Sequence, residues 1–177
     1  MIYPLRVLKF NIYVQVRGFA MSNVMRDGVL YSGIDDYIPE NIDSFTQMNV
    51  NKILNIDKGI PDIDEILKVS VEPNIKNKKI VKTAIGISLE GQKLTGYKLL
   101  SEGEFNIRID CCTDDLVSSI YTFRESIFFN NSTTLPRDAN LNSKIYENIY
   151  IEDIYSQKLS LREILINISF IFIAETC

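Results

Sequence analysis

The chain has 177 residues, 46% hydrophobic and 24% charged, the make-up of a folded domain with a core of its own rather than of a disordered chain. Nineteen Lys and Arg against twenty-three Asp and Glu give a formal net charge of -4, so no basic surplus points to nucleic acid or to an anionic membrane surface. Histidine is absent, which removes Ser-His-Asp and Cys-His relays, His-ligated metals and any side chain that ordinarily titrates near neutrality.

In chain order, residues 1–20 lack the continuous apolar run of a secretory signal, because Lys9, Asn11, Gln15 and Arg17 interrupt it. The segment alternates instead, with Phe10, Ile12, Val14 and Val16 on one face, the period of a half-buried strand and the right pattern for a strand donated to a neighbouring sheet. A second reading stands beside it. Met21-Ser-Asn resembles a natural start, and Arg17-Gly18 can be encoded by a purine-rich ribosome-binding run, which would make residues 1–20 a mistranslated leader.

Residues 21–62 read as an irregular N-terminal arm, with Pro39, Pro61 and the polar run Asp35, Asp36, Glu40, Asn41 and Asp43, and with one strand near Val50 to Ile56. From 63 to 177 short β-type runs recur between Gly, Asn, Asp and Pro. Strands are expected at Ile66 to Val71, Ile80 to Ile87, Gly96 to Leu100, Glu104 to Cys112, Ser118 to Phe123, Ile149 to Tyr155 and Ile164 to Ile173. In the fourth of these Phe105, Ile107, Ile109 and Cys111 point one way and Glu104, Asn106, Arg108, Asp110 and Cys112 the other, which places Cys111 in the core and Cys112 outside. Asn130 to Ser143 has the composition of a long exposed loop. The most apolar window, Ile164 to Ala174, is about half the roughly 20 residues a spanning helix needs and reads as a buried strand. The pattern predicts an all-β fold, an antiparallel β-sandwich or partly open barrel.

Several runs resemble the spore coat and sporulation domain family of Clostridia, also catalogued as a domain of unknown function. They are VEPNI (Val71 to Ile75), ISLEGQKLTGYKLLSEGEFNIRI (Ile87 to Ile109), Phe128-Phe129 to Leu135-Pro136, and YIEDIY (Tyr150 to Tyr155) followed by LREILINISFIFI. The lead-in GIPDIDEILKV (Gly59 to Val69) is similar to that of short members. The chain departs from the family pattern at Asp110 to Thr113 and at Ile120, Tyr121 and Phe123. The resemblance implies a structural role in the spore surface layers, coat or exosporium, for a protein made in the mother-cell cytoplasm and partnered by itself or by other coat proteins.

Candidate chemistry is sparse. Gly86 to Gly96 has neither GxGxxG nor a P-loop Lys-Ser pair, and Gly91 and Gly96 are expected instead to supply positive φ in a hairpin, with Glu90 and Gln92 projecting from the turn. Asp114 with Asp115 and Glu152 with Asp153 are paired carboxylates; the latter two, adjacent on a strand, face opposite ways, and one is expected to pair with Lys or Arg. Cysteines 111, 112 and 177 form no CxxC pair, and Cys112 and Cys177, with Cys111 beside them, are the candidates for intermolecular crosslinks on an oxidising spore surface. No catalytic residue, cofactor or metal is expected. The reading is a non-enzymatic protein that assembles through β-edges and disulfides. Its alternative is a monomeric binding module for a glycan or a morphogenetic protein, with Tyr97, Tyr121, Tyr146, Tyr150 and Tyr155 as ring surfaces.

Overall fold

A computed structural model describes residues 21–40, 42, 44–89, 91–113 and 120–176. The expected donor residues Phe10, Ile12, Val14 and Val16, together with Glu90, Asp114, Asp115 and Cys177, lie outside the described residues. The fold is all-β. Its strands are β1 (Met21–Arg26), β2 (Val29–Asp35), β3 (Phe45–Asn55), β4 (Ile63–Ile87), β5 (Lys93–Thr113), β6 (Ile120–Thr134), β7 (Ile145–Ser160) and β8 (Glu163–Thr176). They form two stacked sheets, ordered β1-β2-β4-β5-β6 and β3-β8-β7, neither closed into a barrel. Every pairing is antiparallel except β2 with β4, which run parallel over Leu30–Ser32 and Lys68–Ser70.

Alternation in the sequence becomes the core. Phe105, Ile107, Ile109 and Cys111 of β5 are at most 2% exposed, and Ile166, Ile168, Phe170 and Phe172 of β8 face them fully buried. Rings of Phe105, Phe129 and Phe170 meet across the sheets with centroids 4.9–5.6 Å apart, inside the range where tilted aromatic pairs attract beyond simple burial. Gly103 lies directly opposite Phe129, and a Cβ there would stand 2.4 Å from that ring, so the bare glycine is what lets the ring lie down over β5.

Three expectations are corrected. The segment 21–62 is not a separate irregular arm, since β1 and β2 join one sheet and β3 the other. Its polar residues conceal this because some of them serve as long-range partners. The Asp35 carboxylate accepts the Ile151 backbone N–H at 2.7 Å, and Arg26 pairs with Asp153. Nor is Asn130 to Ser143 a loop throughout: β6 continues to Thr134, with Asn131 and Thr133 buried, and Leu135 and Ala139 are buried in the turn that follows. The expected strands Ile66 to Val71 and Ile80 to Ile87 are one strand, and Gly96 to Leu100 merges likewise with Glu104 to Cys112. Four irregularities in the β4–β5 ladder let both strands bend without ending.

Cross-links between the sheets close their flanks. On one side the Tyr31 hydroxyl lies 3.0 Å from Ser156 Oγ and accepts the Ser156 N–H at 3.2 Å. On the other, the hydroxyls of Thr46 and Thr133 lie 2.9 Å apart, and Lys52 Nζ donates to the Ser126 carbonyl at 3.1 Å. The β3–β4 connection is held by Arg162, which donates to the carbonyls of Asp57 and Ile60 and pairs with Asp62.

Gly33 marks the point where β2 crosses β4. Its φ is +109°, and a Cβ would fall 2.1 Å from the Val71 carbonyl oxygen. Gly33→Ala is therefore expected to cost at least about 2 kcal/mol, through strain that no side-chain movement relieves. Phe170→Ala, which empties the ring cluster, is expected to cost about 3–5 kcal/mol. Urea unfolding midpoints measure both, and a change under about 0.5 kcal/mol in either would contradict this packing.

Candidate functional site

Strand β4 has 25 residues and β5 has 21, whereas the opposing β3, β8 and β7 have 11, 14 and 16. The β4–β5 hairpin therefore overhangs the sandwich. Its turn is closed by the Ser88 N–H to the Gln92 carbonyl at 2.9 Å and the Gly91 N–H to the Ser88 carbonyl at 3.0 Å. Gly91 and Gly96 have φ of +82° and +102°, as their expected turn and bulge roles require.

Along its outer side β4 is paired only at Lys68–Ser70; among the described residues no strand pairs with it there beyond Val71. Such an edge invites pairing with another chain, and Pro73, Lys76, Lys78, Lys79 and Lys82 are the residue types that discourage it. Past Lys82 the guard stops. Thr83 to Leu89 (TAIGISL) carries no charge, and Ile85, Ile87 and Leu89 are 82%, 73% and 109% exposed. Ile85 and Ile87, two apart, share a face of the strand. A charge-free, β-branched run at an open edge is an association site in the making.

A second feature lies toward the other end, where β3 and β6 part. It is a slot of about 290 Å³ lined by Leu54, Ile56, Ile60, Ile109, Phe123 and Ile164 and, on equal terms, by the polar Asn55, Asp57, Thr122, Arg124 and Glu125. Tyr121 packs beside Phe123 with ring centroids 5.3 Å apart, and both are half-buried. A larger groove, about 950 Å³, crosses the outer face of the five-stranded sheet, lined by Ser70, Glu72, Asn106, Arg108, Arg124 and Phe128 among others. It is open and of mixed charge. Arg108 and Arg124 stand directly opposite, and Arg108 bonds Asp110 at 3.1 Å. Burial raises the Asp110 carboxyl, but hydrogen bonds from Thr122 and Arg108 outweigh it and hold the group below its ordinary range.

The expected site residues are dispersed. Cys111 is fully buried, and burial pushes its thiol up to about 12, so in the folded chain it cannot serve as a crosslinking nucleophile. Cys112 is half-buried, and its thiol is free. Glu152 and Asp153 both find partners, Gln47 at 2.8 Å and Arg26. The five tyrosines form no common surface: Tyr150 is 5% exposed, Tyr146 and Tyr155 are 56% and 42% exposed on β7, and Tyr97 and Tyr121 sit on β5 and β6. Among the described residues no helix is long and apolar enough to cross a membrane.

Sequence reading missed Glu147. Its side chain is 2% exposed, with Lys78 Nζ at 3.6 Å and a hydrogen bond from Ser101 Oγ at 3.3 Å, and among the described residues Oε1 accepts no hydrogen bond. No local pattern marks it, because its partners come from strands 46 and 69 residues away. Comparison of the chain with protein-family models, curated proteins and solved structures finds no match.

Burial raises the Glu147 carboxyl above its ordinary range, more than Lys78 and Ser101 lower it. The native chain thus holds a proton that the unfolded chain releases, so this residue weakens the fold above its native pKa and the penalty is relieved as pH falls through it. Glu147→Gln is expected to raise the thermal midpoint at pH 7, the gain shrinking toward pH 4. A lower midpoint at pH 7 would show that the Lys78 pairing outweighs desolvation.

Proposed function

We propose that this chain is a non-enzymatic structural protein of the bacterial spore envelope, which self-assembles or docks onto other coat proteins through β-edge contacts. The observation that carries the assembly reading is the unguarded hairpin end, Thr83 to Leu89, with three exposed aliphatic side chains beside a strand edge that has no described partner. A chain built to remain single would shield such an end with charge, as this one does only a few residues earlier. The spore setting rests on the resemblance of Val71 to Ile75, Ile87 to Ile109 and Tyr150 to Tyr155 to the clostridial family. Cys112, free and half-buried, and Cys177 supply intermolecular disulfides once the surface meets an oxidising environment. In this reading disulfides lock contacts that the β-edges have already made.

The 177-residue chain, examined by light scattering and negative-stain microscopy, is expected to form large ordered species as concentration rises. Reductant should loosen these without abolishing them. A monomer at every concentration, with and without reductant, would overturn the assembly reading and favour a binding module.

A further inference from the structure

A polar layer crosses the core beyond the aromatic cluster, toward the overhang. In the five-stranded sheet Lys78, Ser101 and Asn131 stand side by side, since Ser101 lies directly opposite Lys78 on one flank and opposite Asn131 on the other. In the facing sheet Ala174 lies opposite Glu147, and its N–H donates to the Ser44 carbonyl at 2.9 Å. Ser44, Ser101, Asn131 and Ala174 are at most 5% exposed, and the Glu147 side chain is 2% exposed. Apolar residues bound the layer on both sides. Leu99 and Phe172, each two residues along its strand from Ser101 or Ala174, share those inward faces and are fully buried.

Two chains of hydrogen bonds enter the layer from opposite flanks. From the β3–β6 seam, the Thr46 hydroxyl lies 2.9 Å from that of Thr133, which accepts the Asn131 amide Nδ2 at 2.8 Å. From the β4–β7 flank, Lys78 Nζ donates to the Ile145 carbonyl at 2.9 Å and stands 3.6 Å from Glu147 Oε1, while the Ser101 hydroxyl donates to Glu147 Oε2 at 3.3 Å. The chains end on Asn131 Oδ1 and Glu147 Oε1, buried acceptors with no hydrogen-bond partner among the described residues. Ser44 Oγ, in the same layer, is a third such oxygen. A carboxylate and an amide oxygen cannot satisfy each other, because neither carries a proton.

We propose that this layer binds a buried water molecule, which donates one proton to Asn131 Oδ1 and the other to Glu147 Oε1, with the Ser101 hydroxyl as its third neighbour. Water is the small donor of two protons that such a pair requires, and buried water characteristically serves polar groups left unsatisfied by the chain. The sequence leaves room for it. At other inward positions β5 and β8 carry Phe105, Ile107, Phe170 and Phe172, whereas here they carry Ser101 and Ala174. Ser101 also brings the two acceptors together, being the direct neighbour of Asn131 and a hydrogen-bond partner of Glu147. The water joins the two chains into one polar belt that ties β3, β6, β5, β7 and β4 across the sandwich. The site is internal and independent of the assembly reading.

A crystal structure of the 177-residue chain, at a resolution that shows ordered solvent, is expected to place a water within about 2.7–3.2 Å of both Asn131 Oδ1 and Glu147 Oε1. Asn131 and Glu147 in direct contact, as a protonated carboxyl would allow, or apolar atoms filling the space between them, would overturn the proposal. A solution test compares thermal midpoints at pH 7 of Asn131→Leu, Glu147→Leu and the double variant. Each single variant strands the other residue's acceptor and the double strands neither, so the double is expected to be at least about 2 °C more stable than the sum of the single shifts predicts. Shifts that simply add would show that the two side chains share no partner and would overturn the bridge. The crystallographic arm needs no variant and stands even where a substitution prevents folding.

Discussion

The structure depends on a mismatch of lengths. At about 3.3 Å per residue β4 can reach roughly 80 Å, while the longest strand stacked against it, β7 with 16 residues, reaches roughly 50 Å. Two sheets can share a core only where both are present. The ring cluster of Phe105, Phe129 and Phe170 lies in the shared part, and the hairpin end, where Ile85, Ile87 and Leu89 are exposed, lies outside it. The overhang needs no special sequence to arise. What requires explanation is that its residues remain apolar, and assembly is the account we propose.

The remaining edges are managed in ways that make this end conspicuous. The edge of β7 is met by Asp35 at the Ile151 N–H and by Arg26 at Asp153, and the β3–β6 seam is tied by hydroxyls and a lysine. Lysines and a proline guard β4 from 73 to 82. Buried Glu147 shows that the junction of β4, β5 and β7 tolerates a costly group, with Lys78 and Ser101 as its partners. An apolar side chain there would spare the desolvation; the carboxylate instead fixes Lys78, which also donates to the Ile145 carbonyl at 2.9 Å.

Legibility followed the range of the interactions. The faces of β5 could be read residue by residue, down to Cys111 inside, and β8 as a buried strand, because period-two alternation is local and a buried face admits little else. The turn and bulge glycines at 91 and 96 were readable for the same reason. The strands of 21–62 were not. Their pairing is long-range, one pair is parallel, and Asp35 looks like a loop residue until the β7 edge is placed beside it. Asn131 and Thr133 misled likewise, being polar residues whose side chains bond each other at 2.8 Å inside the seam. Ile85 and Ile87 posed the opposite difficulty. A β-branched run reads as core, and nothing in the run tells whether a second sheet lies opposite.

Amide hydrogen exchange of the 177-residue chain, followed by mass spectrometry at concentrations below and above the onset of assembly, tests the central claim most directly. The account predicts that peptides covering 83–89 exchange rapidly in the monomer and gain protection on assembly. Protection gained elsewhere while this segment continues to exchange as in the monomer would contradict it.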